Sequence, residues 1–200
     1  NYEITVASGA KLTINKLAIT VTAESTSKTY GDSDPEFKVD TVVPALVGTD
    51  KLSGSLARTD KSENVGDYAI SKGTLDNANY DITYAGDAKL TINKLAITVT
   101  AESTSKTYGD ADPEFKVKSI SPKLIGSDEL SGKLGREAGL TVGDYAINKG
   151  TLDNANYEIT VASGAKLTIN KLAVTVTAES TSKTYGADDP ALKFTPVPAL

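Results

Sequence analysis

The sequence predicts a mostly β chain built as a tandem array of small modules, each of about 77 residues. Three observations lead there. Lys16-Leu-Ala-Ile-Thr-Val-Thr-Ala-Glu-Ser25 recurs from Lys94, 78 positions on, and from Lys171, another 77 on, with one Ile-to-Val change. Within each copy, apolar residues alternate with small or polar ones at the period of two expected of a half-buried strand. Clusters of Gly, Asp, Asn and Pro punctuate these runs, as turns do.

The elements follow in order. Leu17–Ala23 alternates cleanly and reads as a strand. Gly31-Asp-Ser-Asp-Pro35 is a dense turn signal, and Glu36–Val43 reads as a second strand. Pro44–Leu52 and its counterpart Pro122–Leu130 are expected to hold one short helical turn, with Thr49 or Asp50 as N-cap. Leu52–Leu56 reads as a brief strand, and Gly66–Ile70 as another with Tyr68 and Ile70 on one face. Tyr80, Ile82 and Tyr84 share a face, and Lys89–Asn93 closes the unit with Leu90 and Ile92 inward. The candidate helix between strand groups makes a β-grasp-like arrangement the first choice and an immunoglobulin-like sandwich the second.

At the module junction the apolar parity changes. Leu12 and Ile14 are even-numbered, Leu17, Ile19 and Val21 odd. A one-residue slip reverses which face of a strand points inward, so the chain leaves one core and enters the next at Asn15-Lys16-Leu17. No Gly/Ser-rich or Pro-rich spacer lies there, so tightly joined modules and a monomeric rod are expected. The expected organisation is 1–16 as the end of a preceding repeat, full modules over 17–94 and 95–171, and the start of a further repeat over 172–200. The chain is accordingly expected to be a piece of a longer array. Leu17–Ala23 and Lys89–Asn93 are expected to run as parallel neighbours in one sheet.

Variation is uneven. Leu17–Phe37 differs from Leu95–Phe115 only at Ser33 against Ala111, whereas Arg58-Thr-Asp-Lys-Ser-Glu-Asn-Val65 faces Arg136-Glu-Ala-Gly-Leu-Thr-Val142, one residue shorter. Length changes mark an exposed loop. A site common to all units belongs outside that loop, and a unit-specific one could sit within it.

Composition removes most chemistry. There is no Cys, His, Met or Trp. Thiol catalysis, disulfides and the commonest metal ligand are absent with them, as is the one side chain that titrates near neutrality unaided. The net charge is −5, with no basic stripe, so nucleic acid is not an expected partner. No apolar run approaches the roughly 20 residues that span a bilayer, and no signal-peptide pattern opens the chain.

Thr20–Ala23, Ser27–Pro35, Leu52–Leu56, Val65–Ile70, Asn79–Thr83 and Leu90–Asn93 form an ordered set of six short motifs. Together they resemble the MBG repeats of YGX type, found in tandem in large bacterial surface proteins, including mucus-binding adhesins. The resemblance covers essentially the whole chain, departing at Ala187, where Asp32 and Asp110 stand in the other units. It implies a small β-rich fold and an extracellular, cell-surface or cell-wall location, and it transfers no ligand-binding residue set.

Two sharper readings stand against simpler ones. Asp32 with Asp34, and Asp110 with Asp112, could hold calcium in a turn; an Asx-turn before Pro35 is preferred, because calcium takes six or more oxygens and no further acidic ligand is fixed by the local sequence. The tyrosines could stack sugars; core packing is preferred, because Tyr68, Tyr80 and Tyr84 share parity with isoleucines, and Tyr30 is the least determined. Lys28 and Lys106 read as solvated guards of strand edges. No cofactor, metal or catalytic residue is expected. The function expected is a non-catalytic stalk that projects a distal binding region from the cell. The alternative is a multivalent array binding host glycans or mucin.

Overall fold

The computed structural model describes residues 1–197. Sixteen strands follow one another: β1 (Leu17–Ala23), β2 (Thr26–Thr29), β3 (Val39–Val43), β4 (Ala57–Arg58), β5 (Gly66–Ser71), β6 (Tyr80–Tyr84), β7 (Lys89–Asn93), β8 (Leu95–Ala101), β9 (Thr104–Thr107), β10 (Val117–Ser121), β11 (Gly135–Arg136), β12 (Gly143–Asn148), β13 (Tyr157–Val161), β14 (Lys166–Asn170), β15 (Thr175–Ala178) and β16 (Phe194–Val197). No helix occurs among the described residues. The chain forms two compact units, one of Asn1–Ala96 with Asn154–Glu158, the other of Ile97–Asp153 with Ile159–Leu200.

The first repeat makes two small sheets, ordered β3-β1-β6 and β2-β7-β5-β4. The first two strands of the repeat meet its last two in parallel. Leu17 of β1 aligns with Tyr80 of β6 and Val21 with Tyr84, while Thr26 of β2 aligns with Leu90 of β7 and Thr29 with Asn93. β3 runs antiparallel to β1, and β5 antiparallel to both β7 and β4. The second repeat has the same plan, in sheets ordered β10-β8-β13 and β11-β12-β14-β9. Beyond it, β15 and β16 form a two-stranded antiparallel hairpin.

The predicted parities place the core. Ile19 and Val21 of β1, Tyr80 and Ile82 of β6 and Ile70 of β5 are buried together with Leu56, Leu75 and Ala88. Leu90 and Ile92 of β7 are fully buried, as are Leu167 and Ile169 of β14. Between β7 and β8 lies only Lys94, and the buried positions switch there from even (Leu90, Ile92) to odd (Ile97, Val99).

Three expectations are corrected. The segment Pro44–Leu52 is not helical. Gly48 sits in its middle at φ +59°, as Gly126 does at +56° in the counterpart Pro122–Leu130, and one left-handed residue breaks a right-handed helix. Asp50 does not cap; its carboxylate accepts the Tyr80 hydroxyl proton at 2.8 Å, while the Tyr80 hydroxyl oxygen accepts the Val47 N–H at 2.7 Å. With the helix goes the reason for preferring a β-grasp arrangement. Second, Leu17–Ala23 pairs in parallel with β6, and β7 with β2, so the terminal strands are divided between two sheets. Third, β2 is a strand that period-two reading passed over, because Thr26-Ser-Lys-Thr29 contains no apolar residue.

Candidate functional site

The Tyr-Gly turn after β2 organises the most charged place in each repeat. Asp32 N–H donates to the Thr29 carbonyl at 3.0 Å, closing a four-residue turn with Gly31 at φ +91°. A non-glycine residue strains at that angle. The Asp32 carboxylate also accepts the Thr29 N–H at 3.4 Å, and Asp110 accepts the Thr107 N–H at 3.2 Å. Where Ala187 replaces this aspartate the turn persists, with Ala187 N–H on the Thr184 carbonyl at 3.0 Å. The glycine makes the turn, and the aspartate is an accessory.

Asp34 has a different part. Its two oxygens lie 2.8 Å from Lys28 Nζ and 2.7 Å from Arg58 Nε. Glu63, from the variable loop, bridges the same two cations, meeting the same Lys28 Nζ but a different guanidinium nitrogen, Arg58 Nη2. Lys28 also donates to the Asp32 carbonyl, Arg58 to the Ser62 carbonyl, and the guanidinium lies 5.4 Å from the centre of the Tyr68 ring. The Lys28 and Arg58 side chains are only 3 % and 2 % exposed. The turn thus carries a closed cluster of two cations and two anions, in which the fixed fork of arginine suits paired carboxylates. Burial alone would lower the Lys28 pKa, but its bonds to Asp34 and Glu63 outweigh this and raise it. Burial likewise opposes ionisation of Asp34, and the bonds from Lys28 and Arg58 hold its carboxyl below the usual range.

In the second repeat Lys106, Asp112 and Arg136 reproduce three of the four groups. Lys106 Nζ is 2.8 Å from Asp112 Oδ1, and Arg136 Nε 2.6 Å from Oδ2. Hydrogen bonds from Arg136 first, then Lys106, hold the Asp112 carboxyl down to about 2. Arg136 lies 5.2 Å from the Tyr145 ring centre. The short loop places no glutamate there. The start of the next repeat keeps the Lys183–Asp189 pair.

The four candidate calcium aspartates are thereby divided. Asp32 and Asp110 cap the turn, and Asp34 and Asp112 face an ammonium and a guanidinium. Lys28 and Lys106 are corrected from solvated guards to inward members of the cluster: β2 does lie at a sheet edge, but Lys28 has the inward parity. Arg58 and Glu63 escaped notice in the sequence. The signal available was that Arg58 and Arg136 are the chain's only arginines, at equivalent places in the repeat. Of the tyrosines, Tyr80 is buried in the core and Tyr68 and Tyr84 are half-buried. Tyr30 is also half-buried and packs edge-on at 5.5 Å against Tyr157 of the same compact unit.

No curated protein and no solved structure matches the chain. The family model described as MBG domain (YGX type) matches twice, over residues 19–91 and 97–168. Its namesake Tyr-Gly-x turn is the one that presents the ion cluster, and the two matches cover most of the sequence, so the chain belongs to the MBG domain family of YGX type.

Proposed function

We propose that these repeats are non-catalytic, load-bearing spacers of a bacterial surface adhesin, extending a distal binding region away from the cell. Membership of a family associated with extracellular surface proteins supports the location. The single observation that carries the mechanical reading is the double parallel clamp: β1 on β6 and β2 on β7. Tension enters the first repeat at Leu17 and leaves at Asn93. Both clamps then slide along their length, so the hydrogen bonds of a ladder fail together and not one at a time. The core positions Ile19, Val21, Ile82, Leu90 and Ile92 all lie on those clamp strands, so sliding also exposes apolar surface at once.

The test is single-molecule pulling on the chain from its ends. Each full repeat gives one tall peak with a contour gain of roughly 25 nm, from about 77 residues at 3.3–3.6 Å each less the folded length. Yielding of both repeats at very low force, without resolved peaks, would remove the reading.

A further inference from the structure

We propose that the second repeat carries an oxyanion site, formed by Lys106 Nζ and Arg136 Nη2, that takes a carboxylate or sulfate group of a ligand where the first repeat supplies Glu63. This goes beyond the spacer reading and stands independently of it.

The two repeats differ at one partner of these cations. In the first, Glu63 Oε2 accepts from Lys28 Nζ and Oε1 from Arg58 Nη2. Two cations face two anions and the cluster is neutral. In the second, Lys106 and Arg136 share one carboxylate, Asp112, and the cluster keeps a net positive charge. Among the described residues no other carboxylate comes within ion-pair distance of either cation. The residue two before Val142, corresponding to Glu63 two before Val65, is Leu140, which is exposed. Glu137, the only acid of the shortened loop, is exposed, and its recorded bonds are through its backbone.

Two donor protons stay open in the second repeat. Lys106 Nζ donates to the Asp110 carbonyl at 2.9 Å and to Asp112 Oδ1 at 2.8 Å, leaving one of its three protons. Arg136 Nε and Nη2 donate to Asp112 at 2.6 and 3.2 Å, and Nη1 donates to the carbonyls of Glu137 and Gly139, both at 2.8 Å. One Nη2 proton is left. The two remaining donors are the same atoms that Glu63 bridges in the first repeat.

The donors are held in place, and the equivalent position in the first repeat reaches solvent. The Lys106 and Arg136 side chains are 8 % and 11 % exposed, anchored by Asp112 and by the Tyr145 ring. The Glu63 side chain in the first repeat is 57 % exposed, so the place it fills opens to solvent. An incoming oxyanion meets pre-oriented donors, which lowers the entropic cost of binding. The site lies at the base of the loop that differs between repeats, so units of one array can differ in what they bind.

The chain's two arginines supply the assay. In a nitrogen–proton correlation spectrum Arg58 and Arg136 give the only two side-chain Nε–H signals, one from each repeat. The full chain is titrated with sodium sulfate, sodium glucuronate, glucose, and sodium chloride at matched ionic strength. The Arg136 signal is expected to shift and saturate with either oxyanion, at a Kd of the order of 1–10 mM, while Arg58 stays still and glucose and chloride do nothing. Sulfate without glucuronate assigns a sulfate-selective site, and the reverse a carboxylate-selective one. Lys106→Ala should weaken binding at least about tenfold. Glu63→Ala opens the first repeat, so that Arg58 then responds as well. Exchanging Glu137–Val142 for the sequence Thr59–Val65 closes the second. No saturable shift with either anion, or equal response of both arginines in the unaltered chain, overturns the proposal.

Discussion

Replacing Asp34 with alanine removes the carboxylate shared by two almost fully buried cations. Its oxygens lie 2.8 Å from Lys28 and 2.7 Å from Arg58. Without it, Glu63 alone faces both, and an unbalanced charge is left where little water reaches. Losing one partner of a buried ion pair costs about 3–5 kcal/mol. Asp34 is itself 29 % exposed and Glu63 remains, so the lower end applies, about 3 kcal/mol. A repeat of this size has about 4–11 kcal/mol in total. At about 4–8 °C per kcal/mol, the first repeat should melt roughly 12–24 °C lower. Urea and thermal unfolding followed by circular dichroism should then separate into two transitions, with the second repeat unmoved. In a background of Lys28→Met and Arg58→Leu the same alanine should cost little, because no cation remains to be stranded. A single unchanged transition for Asp34→Ala, or an equal loss in the cation-free background, would refute the structural role assigned to the cluster.

Three further outcomes follow from the same geometry. The carboxyls of Asp34, Glu63 and Asp112 titrate lower folded than unfolded; such groups add stability that is full above the unfolded pKa and lost as pH falls through the folded one, so for Asp112 melting temperature should hold down to about pH 5 and fall from about pH 4 towards pH 2. Tyr80→Phe strips the Val47 N–H of its acceptor and Asp50 of its donor, and should cost about 1–3 kcal/mol by urea unfolding. Calcium or a chelator should leave the melting temperature unchanged, since Asp34 and Asp112 already face cations; a shift of several degrees, abolished by Asp34→Ala and Asp112→Ala, would reverse that assignment.

The candidate cluster was only partly legible in the sequence. Asp34 and Asp112 stand out by spacing, and their true partners do not, because Arg58 and Glu63 come from the variable loop, 24 or more residues further along the chain, and Lys28 sits on a strand with no apolar pattern to mark it. The spacer role leaned on the unbroken junction, which is local and readable, whereas the clamp pairing is not.

The sequence alone determined the β class, the inward faces of β1, β6 and β7, and the parity switch at Lys94, since all of these are alternations between near neighbours. Only the tertiary structure decided which strands meet, as two identical segments make plain. Asn1–Ala18 and Asn156–Ala173 match letter for letter. Tyr157–Val161 and Lys166–Asn170 are strands β13 and β14, whereas residues 1–16 form none. Tyr157 is 2 % exposed and Leu167 0 %, against 97 % for Tyr2 and 91 % for Leu12. The difference is partners: β13 lies beside β8, and β14 between β9 and β12. A strand has no hydrogen bonds of its own to close, so its pattern says which face will be buried and leaves to distant residues whether it is buried at all.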